Sequence, residues 1–192
     1  MPLSSIPFLQ LSAYAWWILL LFWFYAGMKT KMTIKKQDSK SRLIHLLLVG
    51  IAFGLVYSDR MAIGFLASRF LPKNEFIYIA GLCISAAGMV MAVIARQWLG
   101  SNWSATVTVK KDHDLIQTGP YAITRHPIYT GMFFGLAGAV IILGETRGLI
   151  AIAFFFIAIE IKMSTEEKFM NATFPMYESY ARKTRKFIPF LY

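Results

Sequence analysis

Residues 6–28 contain no Asp, Glu, Lys or Arg, and this run constrains the fold more than any other feature of the chain. At 1.5 Å per residue, 23 helical residues reach about 34 Å, enough to cross roughly 30 Å of hydrocarbon. No basic residue precedes the run and lysines follow it, so a membrane helix is expected rather than a cleaved leader. Further apolar runs cover residues 43–57, continuing past Asp59 and Arg60 to about residue 66, and residues 76–95. Two shorter ones, 128–143 and 149–159, are separated by Gly144-Glu145-Thr146-Arg147-Gly148 and predict a tight helical hairpin. Its second helix is expected to continue through Glu160, Lys162 and Glu166. Hydrophobic residues make up 57% of the 192 and charged residues 16%, against roughly 25% charged in a soluble domain. The expected class is an all-α integral membrane protein with five transmembrane helices.

The net charge of +10 is distributed unevenly. Residues 29–42 hold six Lys/Arg, 96–125 hold four and 162–186 hold six, whereas the intervening loops hold the other four. Basic loops remain cytoplasmic. Five crossings with the N-terminus outside and the C-terminus cytoplasmic put all three basic segments on one side. Anionic lipid, rather than nucleic acid, is the expected partner for this charge. Trp98 and Trp103 suit the headgroup layer. Gly50 with Gly54 and Gly131 with Gly135 have the spacing of helix-packing positions. The aromatic residues Tyr14, Trp16, Trp17 and Trp23 read as lipid or core contacts, and Cys83 as a buried small side chain. His45, His113 and His126 lie far apart in the sequence, with no cysteine pair, so no metal site is expected.

Two segments concentrate the polar information. Gly119-Pro120-Tyr121 makes a turn, and Arg125-His126-Pro127 leads into a helix for which Pro127 is a good first residue. The positive end of that helix, beside Arg125 and His126, suits an anionic group. An interfacial anchor, with Arg125 on lipid phosphate, uses the same residues. On the last long helix Lys162 and Glu166 are four apart and share a face, with Glu167 about 100° further round. A solvated ion pair has that spacing too. Glu160 is costly in lipid and is expected to face protein or water.

Gly119-Pro120-Tyr121, Arg125-His126-Pro127-Ile128-Tyr129-Thr130-Gly131, Glu166-Glu167, Phe174, Tyr177, Tyr180 and Ile188-Pro189-Phe190, in that order, resemble the C-terminal signature of isoprenylcysteine carboxyl methyltransferases. Related bacterial and phospholipid methyltransferases share it. The resemblance covers about residues 113–192. It implies an integral membrane methyltransferase using S-adenosylmethionine in a cytoplasmic pocket formed by residues 101–192, with residues 1–100 supplying membrane helices one to three. By position, His113, Asp114, Leu115 and Ile116 resemble a cofactor-contacting segment, and Tyr121, His126, Pro127, Ile128, Tyr129 and Glu166 the rest of that shell. Lys162 stands where the family usually has an arginine for the substrate carboxylate; lysine supplies the charge without the bidentate fork. The tail Phe174-Pro175-Met176-Tyr177 is one residue shorter than the usual Phe-Gly-x-x-Tyr. Lys162 and Glu166 are thus the expected catalytic pair, with Lys162 at the acceptor.

The implied acceptor is lipid-like or prenylated and enters from the bilayer. A carboxylate is already nucleophilic; an amine acceptor needs a base, for which Glu166 or His126 would serve. Three other readings stay open: a phospholipid-type N-methyltransferase, a sterol-reductase-like enzyme transferring hydride from NADPH, and a non-enzymatic membrane protein binding anionic lipid.

Overall fold

A computed structural model describes residues 5–28, 33–36, 39–103, 108–110 and 115–192. In chain order the elements are α1 (Ile6–Gly27), β1 (Thr33–Lys36), α2 (Ser39–Tyr57), α3 (Glu75–Leu99), β2 (Thr108–Lys110), α4 (Pro127–Leu143), α5 (Thr146–Thr173) and α6 (Tyr177–Lys183). Helices α1, α2, α3 and α5 are long and apolar enough to cross a membrane. Helix α4 is apolar but has 17 residues, about 25 Å of helix. The chain is an integral membrane protein. Its fold is helical apart from the antiparallel β1–β2 ribbon, which joins two basic connectors and was not anticipated.

Glycine decides the closest helix contact. A Cβ built on Gly88 would lie 2.5 Å from the Gly131 carbonyl oxygen, and one on Gly131 2.4 Å from the Gly88 oxygen. Two turns away the same holds for Gly81 and Gly138, at 2.7 and 2.3 Å. Helices α3 and α4 therefore meet backbone to backbone, and Ser85 Oγ donates to the Gly135 carbonyl at 2.9 Å between these two crossings. The expected Gly50/Gly54 seam does not form within the chain: both positions face open space, because α2 meets α5 through other residues. Gly135 faces the Trp16 ring instead of a helix backbone. Cys83, expected to be buried, is exposed on α3.

Helix α2 stops at Tyr57 rather than near residue 66. Ser58 is extended and two 3-10 turns follow, Asp59–Met61 and Gly64–Ala67, with Gly64 at φ +50°. The carbonyls freed at this helix end are satisfied by buried Arg147, whose guanidinium donates to Leu55 O (3.0 Å) and Ser58 O (2.7 Å) and bonds Glu145 at 2.7 Å. Arg69 does the same for α4, donating to Leu143 O at 2.9 Å. The hairpin between α4 and α5 turns on Gly144, at φ +64°. Two residues, Gly144 and Glu145, separate α4 from α5, and α5 runs past Glu166 to Thr173. The core joins Trp16, Leu19, Val56, Leu136, Phe155, Ile159 and Phe187, and the outer faces of α1 to α3 are apolar and exposed.

Candidate functional site

The start of α4 is held by the tail that follows α5. Gly119, at φ +59°, lies against the Trp98 ring and opens a short turn that buries Tyr121. Thr124 and Arg185 then pair as a bridge, with Arg125 N donating to Arg185 O at 2.8 Å and Arg185 N to Ile123 O at 3.1 Å. Thr130 Oγ1 donates to Phe187 O at 2.5 Å, and Tyr180 OH to Tyr121 O at 2.7 Å. These bonds fix His126 and Pro127 at the helix N-terminus, facing the polar turns of α5.

Five ionisable side chains meet there: Arg125, His126, Lys162, Glu166 and Glu167. Arg125 Nε donates to Glu167 Oε1 at 2.6 Å while its Nη1 donates to Ala181 O and Thr184 O, which ties the segment before α4 to both α5 and the tail. Buried His126 lies between two carboxylates: Nδ1 is 3.5 Å from Glu166 and Nε2 3.4 Å from Glu167. Burial alone would favour the neutral ring, but the hydrogen bonds and charges of Glu166 and Glu167 outweigh it and raise its pKa above 6.5. Tyr129 OH donates to Glu166 Oε1 at 2.5 Å. Lys162 Nζ lies 5.5 Å from the Tyr129 ring centre, placing all three residues in one cluster. Burial, reinforced by Glu166, keeps the Tyr121 phenol protonated far above its ordinary range. Glu160 turns away to Lys186 and Ser164, consistent with its expected placement against protein.

The cluster forms one end of a cavity of about 660 Å³. Leu115, Ile116, Tyr121, His126, Ile128, Tyr129, Lys162 and Glu166 all line it. Pro127 is fully buried beneath the wall rather than lining it, which agrees with a structural helix-start role. His113 and Asp114 lie outside the described residues. The opposite end is apolar, formed by Leu20, Phe24, Val49, Met132 and Phe155. Trp23, Trp103 and His45 are among the lining residues that sequence reasoning did not place at the site. Trp23, read as a lipid or core contact, stacks on Trp103 with ring centres 6.3 Å apart, and both face the cavity. Arg96 supports them, lying 4.3 Å over Trp103 and donating to Ala26 O at 2.8 Å. No local motif marks these residues, since helices α1 to α3 assemble them from distant positions.

A ligand with a cationic group and a flat ring fits the polar end. The Glu166 carboxylate is on hand for the cation, aromatic faces are available, and among the described residues no hydrogen bond of ordinary geometry reaches buried His126 Nε2.

The family model described as the isoprenylcysteine carboxyl methyltransferase (ICMT) family matches residues 79–172. The nickel-cobalt-cadmium resistance protein NccN of Alcaligenes xylosoxydans xylosoxydans is 30% identical over 118 residues, 60% of this chain and 53% of that protein. The protein-S-isoprenylcysteine O-methyltransferase of Saccharomyces cerevisiae is 31% identical over 120 residues, 59% of this chain and 49% of that one. Its Schizosaccharomyces pombe namesake is 29% identical over 76% of this chain and 62% of its own. Among solved structures, the eukaryotic intramembrane Ras methyltransferase ICMT matches with a TM-score of 0.50 and 25% identity, over 81% of this chain and 54% of that one. The chain spans about half the length of the first of these relatives.

Proposed function

Because the chain belongs to the isoprenylcysteine carboxyl methyltransferase family, we propose that it transfers a methyl group from S-adenosylmethionine to the carboxylate of a lipid-like acceptor. The proposed arrangement has five crossings, with α4 as the fourth, an external N-terminus and a cytoplasmic pocket formed chiefly by residues 101–192. The observation that best supports this reading is the shape of the 660 Å³ cavity, whose charged end joins an apolar end between α1, α2, α4 and α5. A soluble cofactor and an apolar-tailed acceptor need such a site to meet.

Bound at the polar end, S-adenosylmethionine supplies an electrophilic methyl group on a sulfonium. The chain's own contribution is placement. Glu166, oriented by Tyr129 OH and His126, presents a carboxylate to the cationic part of the cofactor. Tyr121 and Ile128 shape the adjacent wall. Lys162 supplies the positive charge that orients the acceptor carboxylate. Holding two reactants in line accounts for roughly 7–11 kcal/mol of barrier reduction in well-oriented systems. Surrounding apolar side chains exclude water from the reacting oxygen.

The test is transfer of labelled methyl from S-adenosylmethionine to a farnesylated cysteine analogue and to a lipid extract, using protein in nanodiscs. A base-labile product is the expected ester, whereas a base-stable product points to N-methylation. Calorimetry with S-adenosylhomocysteine and with NADPH separates methyl transfer from hydride transfer. Binding of neither ligand favours a non-enzymatic lipid-binding protein.

A further inference from the structure

His45 lines the cavity from α2, facing Lys162 and Glu166 of α5. Its Nδ1 is 3.0 Å from the Ala158 carbonyl oxygen. A carbonyl only accepts, so Nδ1 carries the proton and donates. In the neutral ring Nε2 then keeps its lone pair. Ala158 precedes Lys162 by four residues, and its carbonyl is therefore the helical acceptor for the Lys162 amide. The imidazole is fastened at the root of the Lys162 side chain. Around it, Leu20, Trp23 and Phe24 of α1 bring no titratable group, Lys162 and Glu166 are the charged groups of α5, and Arg42 on its own helix acts on Lys162.

An acid drawn from the bilayer is not expected to arrive ionised. Desolvation raises a carboxyl pKa by up to about 3–5 units, from about 3.5 in water for an α-carboxyl. Lone-pair Nε2 repels a carboxylate and attracts a carboxylic acid. We propose that His45 takes the proton of a methyl acceptor that enters the site as a neutral carboxylic acid. The proposal rests on the methyltransferase reading above. The acid's O–H bond breaks and its proton passes to Nε2, leaving a carboxylate between an imidazolium and the Lys162 ammonium. The new O–CH3 bond forms as the donor's S–CH3 bond breaks, with the electron pair remaining on sulfur. The methyl ester and the neutral thioether leave, and the imidazolium returns its proton to solvent. Two separate cations thereby serve the two carboxylate oxygens.

The experiment measures methyl transfer to a farnesylated cysteine with a free carboxyl, using wild type, His45→Phe and His45→Asn in nanodiscs from pH 6 to 9.5. Asparagine retains an N–H donor for the Ala158 carbonyl but has no titratable nitrogen. Both variants are expected to bind S-adenosylhomocysteine as wild type does and to lose about a hundredfold in turnover at pH 6.5, within the usual range for general acid–base catalysis. The deficit should shrink to about threefold or less by pH 9.5, as the acceptor ionises unaided. Full turnover of His45→Asn at pH 6.5, or a loss equal at every pH, overturns the proposal and leaves His45 as a helix tie. If wild type itself transfers no methyl, the methyltransferase reading fails and this proposal falls with it.

Discussion

Gly131→Ala tests how the α3–α4 contact governs the site. The added Cβ would meet the Gly88 oxygen at 2.4 Å, the Ala92 nitrogen at 2.7 Å and the Ala92 Cβ at 3.0 Å. None of these atoms is the end of a flexible side chain, so relief requires helix movement. Ordinary contact begins near 3.4 Å, which parts the helices by about 1 Å at this level. Overpacking of this kind costs about 1–3 kcal/mol, only partly offset by the roughly 1 kcal/mol that alanine gains over glycine in a helix. Gly131 is one turn from His126 and two residues from Tyr129, so the displacement also reaches the polar cluster. Misplacement of that size costs about a hundredfold in reactions that depend on alignment. The assay is thermal unfolding in nanodiscs together with calorimetric titration of S-adenosylhomocysteine, with Gly54→Ala as the matched control because nothing lies within 4 Å of its Cβ. Gly131→Ala should melt several degrees lower and bind at least about tenfold more weakly, while Gly54→Ala should be unchanged or slightly more stable. Equal behaviour of the two variants would refute the reasoning.

Three other perturbations address the polar cluster and the topology. Tyr129→Phe removes a 2.5 Å hydrogen bond to Glu166 and should weaken S-adenosylhomocysteine binding about tenfold in calorimetry, whereas Lys162→Ala should leave binding nearly intact but impair turnover and Lys162→Arg should retain carboxyl methylation. His126 has a folded pKa above 6.5, so the stability that it contributes is complete below the unfolded value and lost as pH rises through the folded one; thermal scans from pH 6 to 9 should show a decline that His126→Gln lacks. Single cysteines at positions 36 and 183, in a Cys83-free background, should be labelled from the same side of oriented vesicles, and opposite accessibility breaks the five-crossing arrangement.

Much of the fold follows from apolar run length and its interruptions. The hairpin at Gly144, the long extension of α5 and the helix start at Pro127 are each encoded by neighbouring residues. Where the sequence reading departs from the structure, the deciding contact is distant. Helix α2 ends early because Arg147, 89 residues away from Ser58, binds the released carbonyls. Gly50 and Gly54 have packing spacing but no partner helix, while Gly81 and Gly88, spaced seven apart, make the close approach. For the site, Tyr121, His126, Tyr129, Lys162 and Glu166 were legible as a family pattern and line one cavity. Trp23 and His45 were not, because a tryptophan or histidine in a membrane helix carries no local sign of the cavity that it faces.

The bonds from Tyr180 OH to the Tyr121 carbonyl and from Thr130 Oγ1 to the Phe187 carbonyl, which tie the tail to the segment around the start of α4, have a consequence for biogenesis. The chain is translated from its N-terminus, so α1 to α5 reach the insertion machinery before residues 177–187 exist outside the ribosome. At that stage His126, Glu166 and Glu167 lack the strand of backbone that buttresses them, and Arg125 lacks its carbonyl acceptors at Ala181 and Thr184. The apolar helices are thus specified without the tail, whereas the polar cluster is complete only once residues 177–187 have packed against the segment around the start of α4.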